Sequence, residues 1–132
     1  MDISIFLTKK DVLRIHKTLI QIFGGIEGIR DNTLLDSAIE MPQSGFGNEY
    51  FHKTIFDKAS AYYYHLSKNH AFIDGNKRIG LACSDVFLEM NGYSLELEEE
   101  IAYNFSIRVS TEKNITKEEI SIFLESNSKK IK

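Results

Sequence analysis

The chain has 132 residues, of which 42% are hydrophobic and 27% charged, and this composition is typical of a single globular domain. Its net charge of −3 argues against a nucleic-acid-binding surface, which would be basic, so we expect no direct contact with nucleic acid. The single cysteine, Cys83, excludes an internal disulfide and a cysteine cluster for zinc. The acidic opening Met1-Asp2 and the lack of a long apolar run predict a cytoplasmic protein with no membrane partner.

The N-terminal part of the chain predicts a short extended segment followed by an amphipathic helix. Residues 3–7 are mostly apolar and form the extended lead-in. Thr8 is a suitable helix cap, and the helix should end at Gly24-Gly25, because glycine allows a left-handed cap. His16 falls within the apolar face of this helix, so we expect it to pack in the core or at its edge.

A second helix should begin near Asp31 and stop at Met41, because the residue before Pro42 is disfavoured in a helix. The segment 42–51 then changes character, with two glycines, the only proline and three aromatic residues. Such a composition predicts a loop or a small hairpin. The residue types leave two alternatives open for its aromatic side chains: they pack into the core, or they take part in binding.

Apolar residues at helical spacing predict four further helices. The first spans 52–68, the second ends at Asn91-Gly92 and the third spans 94–109. The last begins at the capping box Thr116-Lys117-Glu118-Glu119. Cys83 lies on the apolar face of the second of these helices and should be buried. His52 and His65 have no evident partner and are expected at the surface. Since no repeat or linker is apparent, we predict an all-α bundle over residues 1–126, followed by a frayed, polar and basic tail at 127–132.

The most informative stretch is 70–78, which reads His70-Ala71-Phe72-Ile73-Asp74-Gly75-Asn76-Lys77-Arg78. It gathers an imidazole, a carboxylate, an amide, two cations and a glycine immediately before an amphipathic helix. Polar residues in this position are poor core material. They suit a site where the N-terminus of the helix binds an anion, because free N–H groups and the positive end of the helix dipole point there.

Several residues of this stretch are suited to binding phosphate. Gly75 lets the backbone approach a ligand closely and take a positive φ angle, so that successive N–H groups can form an anion-binding nest. Asn76 can supply an amide donor, although an asparagine here is also an ordinary helix cap. Arg78 offers a planar fork for two phosphate oxygens, and Lys77 adds a point charge. As isolated residues, both cations would normally be surface charges.

Asp74 and His70 add chemistry to a phosphate site. A carboxylate beside phosphates is the usual way to hold Mg²⁺, and Asp74 fits that role. His70 is the only group of the stretch that exchanges a proton near neutral pH, so it can act as the base for a hydroxyl that attacks phosphorus. Alone, Asp74 would be a solvated carboxylate and His70 a histidine at a helix end. The hypothesis of a catalytic site therefore depends on the combination.

The stretch 70–78 resembles the Fic/Doc family motif, His-x-Phe-x-Asp/Glu-Gly/Ala-Asn-Gly/Lys-Arg, and matches it at every defined position. More closely, it resembles the death-on-curing (Doc) toxins of toxin–antitoxin modules, which carry lysine where Fic enzymes usually carry glycine. The flanking segments that agree are Gly28-Ile29-Arg30-Asp31, Leu34-Leu35-Asp36-Ser37-Ala38, Pro42-Gln43 and Asn91-Gly92-Tyr93. The similarity covers residues 3–126.

This resemblance implies a fold and a set of residue roles. The fold would be a compact helical bundle with a small hairpin flap before the third helix. The flap would hold a segment of the target protein by main-chain pairing. The implied roles are catalytic base for His70, Mg²⁺ ligand for Asp74, ATP phosphate binding for Gly75, Asn76, Lys77 and Arg78, buried loop anchor for Phe72, and flap for Ser44, Gly45, Phe46 and Gly47.

The resemblance also implies an activity and partners. Doc toxins transfer the γ-phosphoryl group of ATP to a hydroxyl of a translation factor, elongation factor Tu, and a small antitoxin inhibits them by folding a helix into a groove. Classical Fic enzymes instead transfer AMP to Ser, Thr or Tyr. Two departures from the Fic pattern are shared with Doc and favour phosphoryl transfer: Lys77 replaces a glycine, and Leu81 stands where Fic enzymes carry a second arginine. A catalytically silent member that binds a partner or nucleotide is a third hypothesis.

Self-inhibition is a further question that the resemblance raises. Fic-like proteins are held inactive by a helix with the pattern Ser/Thr-x-x-x-Glu-Gly/Asn, whose glutamate pairs with the motif arginine. Here the segment from Ser121 to Ser126 matches except at its last position. The sequence therefore leaves open whether the helix with Ser121 and Glu125 inhibits the site.

Overall fold

The computed structural model describes residues 4–131, and these form six α-helices, one 3-10 turn and two small antiparallel sheets. The helices are α1 (Lys9–Phe23), α2 (Asn32–Glu40), α3 (Ile55–Lys68), α4 (Asn76–Met90), α5 (Glu99–Thr111) and α6 (Lys117–Ser126). The strands are β1 (Gly45–Phe46), β2 (Glu49–Tyr50), β3 (Tyr93–Leu95) and β4 (Ser128–Lys130), with β1 paired to β2 and β3 paired to β4. Ile3 of the predicted lead-in, Met1-Asp2 and Lys132 of the predicted tail lie outside the described residues.

Helix α3 lies at the centre of the core, with α2, α4, α5 and α6 packed around it. Its buried side chains include Ala59, Tyr62, Tyr63 and Leu66, each fully enclosed. The two tyrosine hydroxyls are satisfied, because Tyr62 accepts a hydrogen bond from Leu7 N–H and Tyr63 bonds to the Ser106 hydroxyl. Helix α1 packs on α4, which places it beside the stretch 70–78. No described helix is long and apolar enough to cross a membrane.

The structure confirms the main boundaries expected at the N-terminal end. Thr8 caps α1, and Gly24 ends it with φ +84°. Asp31 caps α2 by accepting a hydrogen bond from Leu34 N–H. The predicted stop at Met41 is shifted by one residue, because Met41 opens a 3-10 turn (Met41–Gln43) in which Pro42 needs no N–H partner.

Two later boundaries were predicted wrongly. Helix α3 starts at Ile55 rather than His52, because Thr54 and Asp57 form a capping box there. Helix α5 starts at Glu99 rather than Ser94, because 93–95 forms β3. The tail expected to fray supplies β4, whose Ser128–Lys130 backbone pairs with β3. The all-α prediction therefore holds for the body of the fold, with the predicted hairpin and one unpredicted sheet added.

The capping box expected at the start of α6 is only half formed. Thr116 accepts a hydrogen bond from Glu119 N–H, as predicted. The Glu119 carboxylate does not return to the cap but binds Arg108 of α5, which also binds Glu112. A tertiary ion pair has replaced the second half of the local motif.

The expectation that His52 and His65 are isolated surface residues is also wrong. Both rings are partly buried, and the Lys117 ammonium donates to Nε2 of each at 3.1 Å. Burial lowers the pKa of His65 to about 4, and the charge of Lys117 adds to the effect. Burial likewise lowers the pKa values of His52 and Lys117. The cluster joins the segment after the β1–β2 hairpin to α3 and α6.

Candidate active site

The stretch 70–75 forms a loop between α3 and α4 that is fastened to the segment after α1. Ile29 and Phe72 form an antiparallel bridge, and Ile73 N–H donates to Gly28 O at 3.0 Å. Ala71 O accepts hydrogen bonds from the N–H groups of Arg30 (2.7 Å) and Asp31 (3.0 Å). These contacts join residues far apart in sequence, so the shape of the loop is set by the tertiary fold.

His70 lies at the start of this loop and is exposed. It is the one non-glycine residue with positive φ (+49°) in the described part of the chain, a conformation that histidine tolerates better than most residues. The Arg30 guanidinium donates from Nε to His70 O at 2.7 Å, which holds the backbone in place. The imidazole itself makes no hydrogen bond within the described residues and is free to meet a substrate.

His16 is a site residue that sequence reasoning placed in the core without assigning it a role. Only 2% of it is exposed, and its ring stacks on Phe72 with centroids 3.7 Å apart. Its Nε2 donates to Asp74 O at 2.7 Å. The available signal was a polar ring within an apolar face, which predicts a buried hydrogen bond without revealing its acceptor.

Asp74 faces the turn that follows α1. Its Oδ2 accepts a hydrogen bond from Ile26 N–H at 2.8 Å, whereas Oδ1 has no hydrogen bond within the described residues. Gly25 makes this approach possible, because a Cβ there would lie 3.3 Å from Asp74 Cβ and φ is +113°. One carboxylate oxygen is therefore used for structure and the other is available to a ligand.

Asn76 uses its side chain to shape the loop. Its Oδ1 accepts from Phe72 N–H at 3.1 Å and its Nδ2 donates to Phe72 O at 2.9 Å. Phe72 itself is buried, as expected of an anchor. The side-chain amide predicted to contact phosphate is thus already engaged with backbone, and the N–H of Asn76 is what remains at the helix start.

The start of α4 has the properties of an anion site. Gly75 is its N-cap with φ +83°, and within the described residues no side chain bonds to the first-turn N–H groups. Threonine or aspartate side chains cap α1, α2, α3 and α6, whereas α5, like α4, has no side-chain cap. Lys77 and Arg78 are exposed in the same turn, and the Arg78 guanidinium lies 4.3 Å from the centre of the Phe23 ring. Free donors, the helix dipole and two cations coincide at this end.

A groove of about 810 Å³ runs from this helix start between α1, α4 and α5, and we call it the α1–α5 groove. Its apolar lining includes Leu19, Phe23 and Leu81, and Phe23 is 54% exposed. Arg78 lines it too, together with Asp85, whose pKa is raised by burial and by the neighbouring Glu89. The groove is therefore apolar with cations and carboxylates at its walls.

The segment 44–47 forms the first half of the predicted hairpin. Phe51 N–H donates to Ser44 O at 2.9 Å, and β1 and β2 pair through Gly45–Tyr50 and Phe46–Glu49. Phe46 is 84% exposed, so the aromatic side chain at the tip is not packed in the core. No hydrogen bond, ion pair or ring contact joins 44–47 to 70–78 within the described residues. The structure assembles the motif residues into one site but leaves the hairpin separate from them.

A divalent cation would find only a partial set of ligands in the protein. Among residues 4–131, no group of three or more His, Cys, Asp or Glu side chains could hold a metal ion. Asp74 offers one oxygen, which suits Mg²⁺, because this ion is usually bound by one or two carboxylates together with substrate phosphates and water. The site therefore fits a metal that arrives with a nucleotide.

Comparison with known proteins assigns the chain to a family. The model of the Fic/DOC family matches residues 6–88, a region that includes α1 to α3, the loop 70–75 and most of α4. A Toxin Doc from Mycolicibacterium smegmatis is 38% identical over 90 residues, which cover 68% of this chain and 67% of that protein. The chain belongs to the Fic/Doc family.

The family match includes every predicted motif residue and the hairpin but not α5 or α6. One wall of the α1–α5 groove thus lies outside the matched region. Helix α6, which carries the segment similar to a Fic inhibitory helix, packs against α3. Ser121 donates to Asp57 Oδ1 of α3 at 2.8 Å, and Glu125 is exposed without an ion pair to Arg78.

Proposed function

We propose that this Fic/Doc protein is the toxin of a toxin–antitoxin module and transfers the γ-phosphoryl group of ATP to a hydroxyl side chain of a translation factor, similar to elongation factor Tu. The observation that carries this proposal is the complete motif, folded so that an exposed His70 precedes an uncapped helix start. The similarity to a protein named Toxin Doc supports the toxin role. Arrest of translation would be the consequence.

The phosphates of ATP bind at the first turn of α4. Backbone N–H groups from Asn76 to Arg78 donate to phosphate oxygens, and Gly75 in its left-handed conformation aims them outward. Lys77 and the forked guanidinium of Arg78 balance the negative charge. Phosphoryl transfer asks a protein mainly for such positioning and charge stabilisation.

His70 is the general base. Its imidazole accepts the proton of the acceptor hydroxyl while the hydroxyl oxygen bonds to the γ-phosphorus, and the bond to the β–γ bridging oxygen breaks to release ADP. A base in this position contributes about 10²–10⁴ in rate. Arg30 assists by fixing the backbone of His70 through its carbonyl oxygen.

Asp74 would hold Mg²⁺ through the carboxylate oxygen that Ile26 leaves unbound. The ion would screen the triphosphate charge when ATP is bound. His16 keeps Asp74 in place by donating to its carbonyl oxygen and thereby orients the carboxylate. Its ring also supports Phe72, so one buried side chain contacts the loop at two positions, Phe72 and Asp74.

Two residues favour γ-phosphoryl transfer over transfer of AMP. Lys77 adds bulk and charge where Fic enzymes usually have glycine. Leu81 lines the α1–α5 groove beside Arg78, so an apolar side chain occupies the position of the second Fic arginine. The triphosphate thus meets one arginine fork instead of two.

The hairpin and the groove serve the two protein partners. Residues 44–47 present short exposed backbone and Phe46 to a segment of the target, which adds as a strand. The antitoxin inserts an amphipathic helix into the α1–α5 groove, with apolar residues on Leu19 and Phe23 and an acidic residue toward Arg78. Such a helix would compete with the phosphates for the guanidinium.

Labelled ATP tests the reaction directly. Purified protein is incubated with bacterial lysate, Mg²⁺ and ATP labelled at either the α- or the γ-phosphate, and labelled proteins are identified by mass spectrometry. We expect one protein labelled from the γ position, and none with His70→Asn, which preserves the tolerance for positive φ. Label from the α position alone would replace this reaction with AMP transfer. No label from either position would leave the catalytically silent hypothesis.

A further inference from the structure

A second cavity, of about 510 Å³, lies on the other side of α1 from the α1–α5 groove, and we call it the basic pocket. One wall is the face of α1 that carries Lys10, Arg14 and Lys17, and the other is the segment 27–29. These three cations are spaced i, i+4 and i+7, which places them along one side of the helix. The pocket has no role in the function proposed above.

No salt bridge within the described residues fixes the cations of the basic pocket, although the charges of Arg14 and Lys10 act on the nearby Asp11 carboxylate. Lys10, Arg14 and Lys17 are exposed, and none forms an ion pair within the described residues. Among the exposed cations elsewhere in the described residues, Lys53, Arg108 and Lys129 each pair with a glutamate, whereas Arg30, Lys77, Arg78, Lys113 and Lys130 form no salt bridge. In a chain of net charge −3, three cations around one cavity with a single lining carboxylate form a local positive surface. Glu27 is the single acidic residue in the lining.

The interior of the basic pocket is apolar. Leu13 and Ile29 line it, and Ile29 is 38% exposed. Beneath them lies the stacked pair of His16 and Phe72. A ligand that fills this space therefore needs an apolar group surrounded by negative charge, which is the chemistry of an acidic peptide segment with an apolar or aromatic anchor.

The basic pocket is joined to the catalytic loop by the backbone. Ile29, in its wall, is bridged to Phe72, and the next residue, Arg30, donates to His70 O. An occupant of the pocket is therefore held by the same segment that fixes the base. This continuity distinguishes the pocket from the α1–α5 groove, which meets the site at Arg78.

We infer that the basic pocket binds an acidic segment of the protein that is modified and seats one apolar side chain of that segment between Leu13 and Ile29. The inference rests on the proposed function, because it assigns the occupant to the acceptor protein. With the hairpin, the pocket gives the acceptor a second contact. It would explain how a small site with one exposed base selects one protein.

A direct binding assay separates this inference from the chemistry. The probe is the fluorescein-labelled peptide Glu-Glu-Phe-Glu-Glu, titrated with the whole protein and followed by fluorescence anisotropy. We expect salt-sensitive binding that weakens roughly tenfold with Arg14→Glu, since a hydrogen bond to a charged group contributes about that factor. Lys113→Glu is the matched control, because it changes the net charge equally at an exposed site away from the pocket. Lys17→Glu repeats the test if Arg14→Glu fails to fold.

Two further probes test the nature of the occupant. The peptide Glu-Glu-Ala-Glu-Glu should bind more weakly than the phenylalanine peptide, because the apolar interior is left unfilled. An oligouridylate of equal charge should also bind more weakly. If it binds as tightly as the peptide, or if alanine binds as well as phenylalanine, the pocket is a general polyanion surface and the inference is overturned.

The transfer assay then assigns the occupant. The rate of transfer from labelled ATP to the acceptor protein is measured for the wild type and for the Arg14→Glu variant. The substitution should raise KM for the acceptor about tenfold while kcat and KM for ATP stay unchanged. An unchanged acceptor KM, or equal effects of Arg14→Glu and Lys113→Glu, overturns the inference while transfer persists. If the wild-type protein binds the peptide but transfers no label to any protein, the proposed function is contradicted. The occupant of the basic pocket is then not an acceptor protein.

Discussion

The loop 70–75 and the β1–β2 hairpin are both short connections with a proposed role in transfer, yet they are held in different ways. The loop is fixed by residues distant in sequence, through His16 to Asp74 O, Ile26 to Asp74 Oδ2 and the bridge of Ile29 with Phe72. Within the part of the chain that the structure describes, the hairpin contacts the rest of the fold at its base, where Tyr50 contacts Phe6 and the ammonium of Lys58. Its tip, with Phe46, is exposed.

This difference matches two different tasks. Phosphate and proton positions must be held closely, because a small misplacement of reacting groups costs a large factor in rate. A surface that accepts a protein segment by strand addition gains from backbone that can adjust. We therefore expect changes in the loop to affect chemistry, and stability as well where a buried contact is lost. Changes at the hairpin tip should affect binding of the acceptor protein alone.

The largest expected effect is loss of transfer with His70→Asn. The imidazole base is removed while the side chain remains compatible with positive φ, so the rate should fall by about 10²–10⁴. Because His70 is exposed, the free energy of unfolding should change little. Initial rates with labelled ATP and urea unfolding measure both quantities. A variant that retains the wild-type rate would exclude His70 as the base.

The next effect concerns the support of the loop. His16→Phe keeps an aromatic ring against Phe72 but leaves the buried Asp74 carbonyl without its donor. The free energy of unfolding should fall by about 1–3 kcal/mol, and transfer should fall with it because Asp74 loses its orientation. Urea unfolding and the labelled-ATP assay measure these changes. Gln21→Ala, exposed on the same helix, is the control and should change stability by less than about 0.5 kcal/mol.

The hairpin provides the contrasting case. Phe46→Ala should leave stability within about 0.5 kcal/mol of wild type, since the side chain is almost fully exposed. The KM for the acceptor protein should rise roughly fivefold, because loss of an aromatic anchor costs above about 1 kcal/mol in binding. Phe51→Ala, at the other end of the hairpin, is the matched control. An unchanged acceptor KM would remove the tip from the binding surface.

The last expected effect is a pH dependence at the base of the hairpin. The pKa of His65 is about 4 in the folded protein and 6.5 ordinarily, because burial and the nearby Lys117 disfavour its charged form. The unfolded chain therefore takes up the proton first, and the free energy of unfolding should decrease as pH falls from about 6.5 toward 4. Below that range both states are protonated and this contribution stops changing.

Unfolding in urea at pH 7.5 and 5 measures this dependence. His65→Gln keeps an acceptor for Lys117 but does not titrate, so its stability should decline less than that of wild type. Hydrogen exchange at pH 5 should increase around His52 before it increases in the loop 70–75. An equal decline in both proteins would show that the Lys117 cluster does not contribute to the pH response.

The sequence predicted those features that depend on local chemistry. Thr8 and Asp31 are caps because their side-chain oxygens accept hydrogen bonds from N–H groups of the next turn. Each cap therefore depends on a segment of only four residues. A loop or small hairpin was predicted over 42–51 from its glycines and aromatics, and a hairpin forms there at 45–50. The error at α3 had a local signal as well, because the capping box of Thr54 and Asp57 was present in the sequence.

Other features could not be predicted because their partners are distant in sequence. The strand β3 has too few residues to show a pattern, and it forms because β4 returns to pair with it. Lys117 meets His52 and His65 only after α6 packs on α3. Asn76 was expected to cap a helix or bind phosphate, and its bonds to Phe72 depend on the shape of the loop.

The sequence by itself determined that this protein is helical, that it belongs with Fic/Doc proteins, and which stretch carries the chemistry, because motif residues and helix periodicity are properties of short segments. The tertiary structure decided how that stretch is held. It brings His16 and Ile26 to Asp74 and Arg30 to His70, and it places Lys10, Arg14 and Lys17 around an apolar cavity. The physical reason is that hydrogen bonds and cavities between distant segments exist only once hydrophobic packing has placed the helices.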